Sequence, residues 1–261
     1  MREFAKELFQ KYEELALTGD DKKTAQDFNL RDLEIEFALP YIKSAQNVLD
    51  IGCGLGYTTR KYASQSAGKI VGLDYSPNMI EGAKKISSNQ KDSSRIIFTC
   101  QSVVQTNFND AQFDVIVSHR CLMALLDWNL QKNALVELAR ILKKGGVLIL
   151  FEGTLQGLNR LNSMRKSYGL DEIDGTGQGG LLTLKFDEDM LEEFLVRKFY
   201  ITKKQNFGTY YFLTRIFYPI HIAPEVPSFD NPFSRTAKEL SLKNPELVDI
   251  GHLRAYALTR K

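Results

Sequence analysis

Three polar residues that follow predicted strands have side chains suited to proton transfer or anion binding. His119 and Arg120 come directly after the apolar run at residues 113–118, and Glu152 comes directly after the apolar run at residues 147–151. An imidazole titrates near neutral pH, so His119 is the first candidate for a general base and Glu152 is the second. A guanidinium pairs well with carboxylate or phosphate, so Arg120 is a candidate ligand for an anionic substrate group.

Each of these three residues also has a structural interpretation. His119 could hydrogen-bond a cofactor or its own loop without taking up a proton. Arg120 could form an ion pair with Asp127 or Glu152, and Glu152 could accept hydrogen bonds from the backbone of a buried loop. The sequence leaves both interpretations open for all three.

A glycine-rich stretch at residues 48–56 predicts a nucleotide-binding loop. Its sequence, Val-Leu-Asp-Ile-Gly-Cys-Gly-Leu-Gly, starts as a short buried strand and continues with alternate glycines before a helical pattern. Glycine lets the chain turn sharply and lets a ligand approach the backbone, and the following helix offers unpaired N–H groups. The spacing of Gly52, Gly54 and Gly56 differs from the G-x-G-x-x-G of dinucleotide folds, which disfavours a nicotinamide-dependent oxidoreductase.

An acidic residue ends the next predicted strand. Asp74 closes the apolar run at residues 69–74, and a carboxylate at this edge of a nucleotide-binding βαβ unit accepts hydrogen bonds from ribose hydroxyls. Ser76 and Pro77 then predict a helix start, with Ser76 as the N-cap. Asp74 is therefore a candidate ligand of a nucleoside.

Four motifs, in this order, resemble those of the class I S-adenosylmethionine-dependent methyltransferases. They are Leu-Asp-Ile-Gly-Cys-Gly-Leu-Gly at residues 49–56, Ile-Val-Gly-Leu-Asp-Tyr-Ser-Pro-Asn-Met-Ile at residues 70–80, Phe-Asp-Val-Ile-Val-Ser at residues 113–118 and Leu-Ala-Arg-Ile-Leu-Lys-Lys-Gly-Gly at residues 138–146. The resemblance implies a Rossmann-like fold, S-adenosyl-L-methionine as the cofactor and S-adenosyl-L-homocysteine as the product.

The resemblance also implies roles for individual residues. The glycine loop and Asp50 would hold the methionine portion of the cofactor, Asp74 the ribose, and residues 118–120 the substrate side. The implied cofactor ligands are Asp50, Gly52, Gly54, Gly56, Asp74, Tyr75, Met79, Gln101, Ser102, Val103 and Ser118. Family members often carry an acidic residue after the third strand to hold the adenine amino group, whereas here Gln101 or Ser102 would make that contact.

The pattern of elements predicts one α/β domain with a doubly wound, mostly parallel seven-stranded sheet. Helices are expected on both faces, with an antiparallel C-terminal edge hairpin and a helical lid insertion. Residues 1–45 would form an N-terminal helical cover, residues 46–153 the cofactor-binding core, and residues 154–186 and 208–251 the substrate-side insertions. Helical patterns cover residues 1–17, 30–42, 57–66, 130–142, 155–167 and 187–199, and strand patterns cover residues 95–100, 113–118, 147–151, 200–207 and 253–259.

Two segments beyond the core are expected to shape substrate choice. Residues 169–180 contain five glycines and predict a mobile loop, and residues 208–251 hold five of the seven prolines. Tyr210 and Tyr211 belong to an aromatic cluster, which packs in a core more often than in a pocket, but a buried phenol hydroxyl needs a partner. Both tyrosines are therefore candidate substrate ligands.

Composition excludes several classes of partner. Lysine and arginine number 34 against 32 for aspartate and glutamate, which disfavours a nucleic acid partner. No run approaches the ~18 apolar residues of a membrane span, and the charged N-terminus is unlike a signal peptide, so a cytoplasmic protein without a membrane partner is expected. Cys53, Cys100 and Cys121 lack metal-ligand spacing and predict reduced thiols with no metal site.

The predicted function is methyl transfer to a small polar metabolite. A weaker resemblance to methyltransferases of bacterial surface-polysaccharide loci, at residues 120–123, 151–153 and 210–215, favours O-methylation of a sugar or phosphorylated sugar precursor. Neither the Asn/Asp-Pro-Pro-aromatic motif of amino methylases nor a Pro-Cys motif follows the fourth strand, which disfavours nucleobase methylation. The alternatives are a tRNA or protein methyltransferase and a non-catalytic protein that binds the cofactor.

Overall fold

A seven-stranded sheet forms the centre of the computed structural model, which describes residues 2–23, 27–175 and 183–261. The strands are β1 (Asn47–Ile51), β2 (Lys69–Asp74), β3 (Ile96–Cys100), β4 (Phe113–His119), β5 (Leu142–Gly153), β6 (Phe199–Gln205) and β7 (Leu253–Arg260). Their order across the sheet is β3-β2-β1-β4-β5-β7-β6. Only β7 runs antiparallel to its neighbours, β5 and β6, and the remaining pairs are parallel. The predicted fold class is confirmed.

Helices pack on both faces of this sheet. They are α1 (Arg2–Leu17), α2 (Phe28–Ile42), α3 (Tyr57–Gln65), α4 (Pro77–Ser87), α5 (Trp128–Ile141), α6 (Leu155–Ser167), α7 (Glu188–Leu195), α8 (Gly208–Phe212), α9 (Tyr218–Ile222) and α10 (Pro232–Lys243). A π-helical turn, Leu213–Phe217, joins α8 to α9, so the insertion at residues 208–251 is helical as predicted. None of the helices in the described residues combines the length and apolar character needed to cross a membrane.

Alternate side chains of the central strands fill two apolar cores. In β1, Val48 packs in the core that α2 and α3 cover, whereas Leu49 and Ile51 pack in the core that α5 and α7 cover. Successive side chains of a strand point to opposite faces of the sheet. Because both faces are covered, these parallel strands read as continuous apolar runs in the sequence.

The junction between α5 and β5 differs from the prediction. The patterns placed a helix at residues 130–142 and a strand at residues 147–151, but α5 ends at Ile141 and β5 begins at Leu142. Leu142 already pairs with Phe113 of β4, so the chain passes from helix to strand without a loop. Gly145, inside the longer strand, has a left-handed backbone with a φ of 73°.

Helix starts follow their capping residues. Ser76 caps α4, as predicted, by accepting a hydrogen bond from the Met79 N–H, and Asp187 caps α7 by accepting one from the Met190 N–H. The helix that begins after Asp187 is shorter than its pattern predicted and ends at Leu195. Of the predicted glycine-rich loop, residues 176–180 lie outside the described residues.

Candidate functional site

A cavity of about 560 Å³ opens at the carboxyl ends of β1, β2 and β4. This is where the strand order reverses, because the chain runs from β1 outward to β3 and then crosses back to β4 on the other side of β1. Open α/β sheets bind ligands at such a switch point. The volume is in the range of pockets that hold small molecules and cofactors, which are roughly 300–1,000 Å³.

The glycine loop forms one wall of the cavity, and its three glycines are needed for different reasons. All have left-handed backbones, with φ of 64° at Gly52, 54° at Gly54 and 84° at Gly56. A Cβ at Gly52 would lie 2.7 Å from the Cβ of Cys121, and one at Gly56 would lie 2.7 Å from the Phe98 ring. A Cβ at Gly54 would meet nothing closer than 3.9 Å. Gly52 and Gly54 line the cavity, whereas Gly56, contrary to the predicted contact, does not.

Asp50 does not reach the cavity. It is fully buried, and its Oδ2 accepts hydrogen bonds from the hydroxyls of Thr58 at 2.7 Å and Thr59 at 2.6 Å. Its Oδ1 has no hydrogen-bond partner in the described part of the chain. The carboxylate therefore connects β1 to the first turn of α3. Instead of the predicted direct contact with the methionine portion, Asp50 stabilises the two elements that flank the glycine loop.

Asp74 lies on the cavity wall where the sequence placed it. Its Oδ2 accepts a hydrogen bond from the Gly54 N–H at 2.8 Å, and its Oδ1 accepts one from the Ser76 N–H at 3.0 Å. Burial raises the pKa of this carboxyl above its usual range, and these backbone donors offset part of the effect. Two backbone hydrogen bonds leave acceptor capacity on both oxygens for ligand hydroxyls.

The predicted adenine contacts gather at the Asp74 end of the cavity. Met79 and Val103 are buried and give this end an apolar surface, and Tyr75 lies at its rim. The Gln101 amide also faces this end, but its Oε1 accepts from the Asn107 N–H at 2.7 Å. The Ser102 hydroxyl oxygen also accepts from its own loop, from the Val104 N–H at 3.3 Å, but its O–H group can still donate to a ligand.

Helix α1 closes the same end of the cavity. Leu8, Phe9 and Tyr12 on this helix line it, as expected for an N-terminal cover. The Glu13 carboxylate fixes the position of α1, because it accepts hydrogen bonds from the Ser76 hydroxyl and from the Asn78 N–H. The cap of α4 therefore also anchors the cover.

His119 lines the cavity, but both of its ring nitrogens are engaged inside the protein. Its Nδ1 lies 2.7 Å from Oε2 of Glu34, and its Nε2 lies 2.6 Å from the hydroxyl of Tyr62. A neutral ring with its proton on Nδ1 satisfies both contacts, donating to Glu34 and accepting from Tyr62. Burial lowers the pKa of His119, which keeps the ring neutral. These contacts support the structural interpretation of His119 over the predicted general base.

Glu152 and Ser118 also lie away from the cavity. Glu152 is fully buried, and its Oε1 accepts from the Ser118 hydroxyl at 2.6 Å and the Leu122 N–H at 3.0 Å, while its Oε2 accepts from the Met123 N–H at 3.0 Å. Burial raises the pKa of Glu152 to about 7, against the effect of these donors. Neither the predicted second base nor the predicted Ser118 cofactor contact is present. Instead, the pair holds the turn that carries Arg120.

The raised pKa of Glu152 predicts that the difference in unfolding free energy between the wild type and Glu152→Gln changes with pH. A carboxyl whose pKa is about 7 when folded and near 4.5 when unfolded binds more protons in the folded state between these values. Its contribution to the free energy of unfolding therefore falls as the pH rises from 4.5 to 7. We expect Glu152→Gln to gain up to about 3 kcal/mol relative to the wild type over this window.

Urea unfolding at several pH values would measure this difference, with Glu193→Gln as the control because Glu193 is an exposed carboxylate. A difference between wild type and Glu152→Gln that stays constant with pH would contradict the raised pKa of Glu152.

The buried carboxylate of Glu34 organises the wall opposite the glycine loop. Its Oε1 accepts a hydrogen bond from Nη2 of Arg120 at 2.7 Å, and its Oε2 lies 2.7 Å from Nδ1 of His119 and 3.5 Å from Nε of Arg31. Burial alone would raise the pKa of Glu34, but the guanidiniums of Arg120 and Arg31 and the hydrogen bond with His119 hold it at about 2. Glu34 is therefore ionised and shared between two cations.

The sequence prediction missed Glu34, although one signal was present. Leu30, Leu33 and Phe37 form an apolar helical face on α2, and Glu34 lies on the same face. A charged residue at a core-facing position is rarely buried without a partner. That pattern could have identified a buried ion pair, but not its partners.

Arg120 and Arg31 bring two guanidinium groups to the cavity. Both line it, and the Nε of each has no hydrogen-bond partner among residues that the structure describes. Arg120 pairs with Glu34 and not with Asp127 or Glu152, the two predicted partners. Its backbone is left-handed, with a φ of 59°, a conformation that is costly for arginine and that clusters at functional sites. Two guanidiniums share the Glu34 carboxylate, and the carboxylates of Asp21 and Asp74 line other parts of the same cavity.

Tyr210 and Tyr211 are core residues. Both are fully buried, and neither lines the cavity. The Tyr210 hydroxyl donates to Oδ1 of Asp27 at 2.8 Å, which also pairs with Arg215 at 2.6 Å through Oδ2. The Tyr211 ring packs against His252. The predicted substrate contacts are therefore wrong, because the Tyr210 hydroxyl has its partner at the start of α2 and the Tyr211 hydroxyl lies 3.5 Å from Nε2 of His252.

The three cysteines are unpaired thiols. Burial raises the pKa of Cys53 and of Cys121 well above the usual value, so both remain protonated at neutral pH. Within residues 2–23, 27–175 and 183–261, no group of His, Cys, Asp and Glu side chains is placed to hold a metal ion.

Comparison with known proteins finds a family match for the segment that contributes the glycine loop and Asp74 to the cavity. Residues 48–146 match a family model described as a methyltransferase domain. The probable methyltransferase ltbC of Aspergillus luteorubrus is 33% identical over 140 residues, which are 50% of this chain and 48% of that protein. The chain thus spans about half the length of this curated relative.

Solved structures share the fold over nearly the whole chain. A chain in the complex between the Haloferax volcanii Trm112 methyltransferase activator and the putative methyltransferase matches with a TM-score of 0.60 at 16% identity, covering 95% of this chain and 96% of that one. The N-methyltransferase NodS from Bradyrhizobium japonicum WM9, solved with S-adenosyl-L-homocysteine, matches with a TM-score of 0.57 at 14% identity, covering 97% and 98%.

Proposed function

From the premise that residues 48–146 form a methyltransferase domain, we propose that this protein is an S-adenosyl-L-methionine-dependent methyltransferase that acts on a small polar metabolite. The observation that carries the proposal is the meeting of Gly54 and Asp74 at the switch point of the sheet. The glycine presents open backbone, and the carboxylate keeps acceptor capacity for hydroxyl groups.

The residues around the cavity fit the cofactor. Asp74 would hold the ribose hydroxyls, and Ser102 with the apolar surface of Met79 and Val103 would hold the adenine. Arg31 carries a positive charge close to Asp50 and the glycine loop, which suits the carboxylate of the methionine portion. The bound cofactor supplies a methyl group on a positively charged sulfur, so the protein has to align the acceptor with it.

Binding of the product tests this proposal. We expect calorimetry to detect S-adenosyl-L-homocysteine binding to the wild type and no binding of NAD. Asp74→Ala should weaken that binding at least about tenfold, because hydrogen bonds to a charged group contribute roughly 1.5–3 kcal/mol. Asp189→Ala, at an exposed site on α7, is the control and should bind as the wild type does. Equal affinity of Asp74→Ala and Asp189→Ala for S-adenosyl-L-homocysteine would show that Asp74 does not contribute to cofactor binding.

The substrate side of the cavity supports a metabolite that carries negative charge. Arg120 follows β4, lines the cavity and keeps its Nε without a partner in the described ranges. A phosphorylated sugar precursor of a surface glycan is the candidate that the weaker sequence resemblance favours, and a phosphate would pair with Arg120. Mass spectrometry of candidate acceptors incubated with cofactor, looking for the gain of one methylene, tests the substrate class.

A further inference from the structure

Helix α1 and the turn that follows it, Asp21–Lys23, form a cover over the cavity. Tyr12 of α1 and Asp21 of the turn contribute to the cavity wall. Gly54 and Asp74 contribute to the same wall from the loop after β1 and from the end of β2. A ligand bound against Gly54 and Asp74 therefore lies between the end of the sheet and the cover.

An ion pair holds the cover against the glycine loop. Nη2 of Arg60, on α3, donates to Oδ2 of Asp21 at 2.8 Å, and Nη1 of the same guanidinium donates to the backbone carbonyl of Leu55 at 2.5 Å. The side chains of Arg60 and Asp21 are only 10% and 21% exposed. A pair that is largely withdrawn from water is screened less than a surface pair. Because Arg60 does not line the cavity, it acts on the cover and not on a bound ligand.

A second polar contact holds α1 at the start of α4. The Glu13 carboxylate accepts hydrogen bonds from the Ser76 hydroxyl and from the Asn78 N–H. Glu13 also lies outside the cavity lining. Ala16, which lies between Glu13 and the turn along the chain, packs with Leu55 in a small apolar cluster. The cover is therefore attached to the rim by two polar contacts and one apolar contact.

Both polar contacts join one protein group to another, and neither Arg60 nor Glu13 lines the cavity. The two contacts therefore stabilise the closed position of the cover equally in the free and in the ligand-bound protein. Loss of either contact makes the cover easier to open in both states. Entry and exit of the ligand then become faster by the same factor, while the equilibrium affinity stays the same, because only a differential interaction shifts a binding equilibrium.

We propose that the cover is a gate, and that the Arg60–Asp21 pair and the Glu13 contacts set how fast the cofactor exchanges with solution. Opening breaks both contacts and exposes the cavity. In many enzymes such an opening step limits the release of product. This inference rests on the proposed methyltransferase function, which supplies S-adenosyl-L-homocysteine as the ligand with which the gate is tested.

Arg60→Gln should raise the association and the dissociation rate constants for S-adenosyl-L-homocysteine together, each at least about fivefold, because a largely buried charge pair is lost. Surface plasmon resonance with immobilised protein measures both rate constants. The dissociation constant, measured by calorimetry, should stay within about twofold of the wild-type value. Lys22→Gln is the matched control. It removes an ion pair of the same turn, with Asp230 at 2.9 Å, but these two side chains are 62% and 70% exposed. Its rate constants should stay within about twofold of the wild type.

Glu13→Ala tests the gate at the other contact and does not depend on the folding of Arg60→Gln. It should also raise both rate constants without changing the affinity. Glu14→Ala, at the neighbouring position, is its control, because Glu14 accepts a hydrogen bond only from Gln10 of the same exposed helix face in the described structure. The effects of Glu13→Ala and Arg60→Gln on the rates should multiply in the double variant, because separate contacts hold one cover.

Two results would overturn the gate. One is a pair of rate constants that stays at the wild-type values in both Arg60→Gln and Glu13→Ala. The other is a weaker affinity caused by faster dissociation alone, since that would mean that both residues support the bound ligand and not the cover. Either result leaves the proposed function intact, because the wild type still binds S-adenosyl-L-homocysteine. No binding by the wild type would count against both proposals.

Discussion

The Glu34→Gln variant should lose about 3–5 kcal/mol of unfolding free energy, which is the usual cost of removing one member of a buried ion pair. Glu34 is fully buried, and its negative charge is shared by the guanidiniums of Arg120 and Arg31. It also accepts a hydrogen bond from the Nδ1–H group of His119. An amide leaves both guanidiniums without a counter-charge and turns an N–H group toward one of these donors. Urea unfolding at neutral pH measures the loss.

Asp32→Asn is a matched control for Glu34→Gln. Asp32 lies on the same helix and also accepts from a cation, Nζ of Lys238 at 2.8 Å, but its side chain is 35% exposed. A partly exposed pair contributes about 1 kcal/mol or less. If Glu34→Gln and Asp32→Asn lose the same stability, Glu34 does not organise the wall as described.

Acid should remove the stabilisation from Glu34. Its pKa is held near 2 in the folded protein against about 4.5 when unfolded, so the folded state binds fewer protons between these values. The stabilisation is fully present above the unfolded pKa and is lost as the pH falls from 4.5 toward 2. The stability gap between wild type and Glu34→Gln should narrow over this range.

Gly54→Ala should fold and yet bind S-adenosyl-L-homocysteine about 100-fold more weakly than the wild type. Its φ of 54° makes alanine strained, at roughly 1 kcal/mol, but the new methyl group would meet no protein atom closer than 3.9 Å. The methyl group would instead occupy the cavity beside Asp74, where overpacking against a ligand costs about 1–3 kcal/mol. Thermal unfolding and calorimetry separate the two effects.

Substitutions at two other glycines serve as controls for Gly54→Ala. Gly145 has a similar φ of 73° and no atom within 4 Å of its added Cβ, so Gly145→Ala should show the strain and bind as the wild type does. Gly52→Ala places a Cβ 2.7 Å from the Cβ of Cys121. It should therefore lose more unfolding free energy than Gly54→Ala or Gly145→Ala. If Gly54→Ala binds S-adenosyl-L-homocysteine as tightly as the wild type does, the cofactor does not bind against the glycine loop.

The sequence by itself determined the sheet, the glycine loop and Asp74. These features depend on residues close together along the chain, because backbone conformation and strand ends are local properties. Gly54 and Asp74 meet because β1 and β2 are adjacent parallel strands whose carboxyl ends share one edge. The order of strands and helices then fixed the switch point, and with it the position of the cavity.

Only the tertiary structure decided what the residues after β4 and β5 do. Successive side chains of a strand point to opposite faces, so Ser118 turns toward Glu152 on the α5 side, while His119 turns toward α2. There it meets Glu34, 85 residues away along the chain. The sequence placed His119 and Glu152 at the correct edge of the sheet, but their proton chemistry depends on partners that long-range packing supplies. For that reason His119 and Glu152 are engaged by neighbouring groups of the protein, and Arg120 lines the cavity as the partner of Glu34.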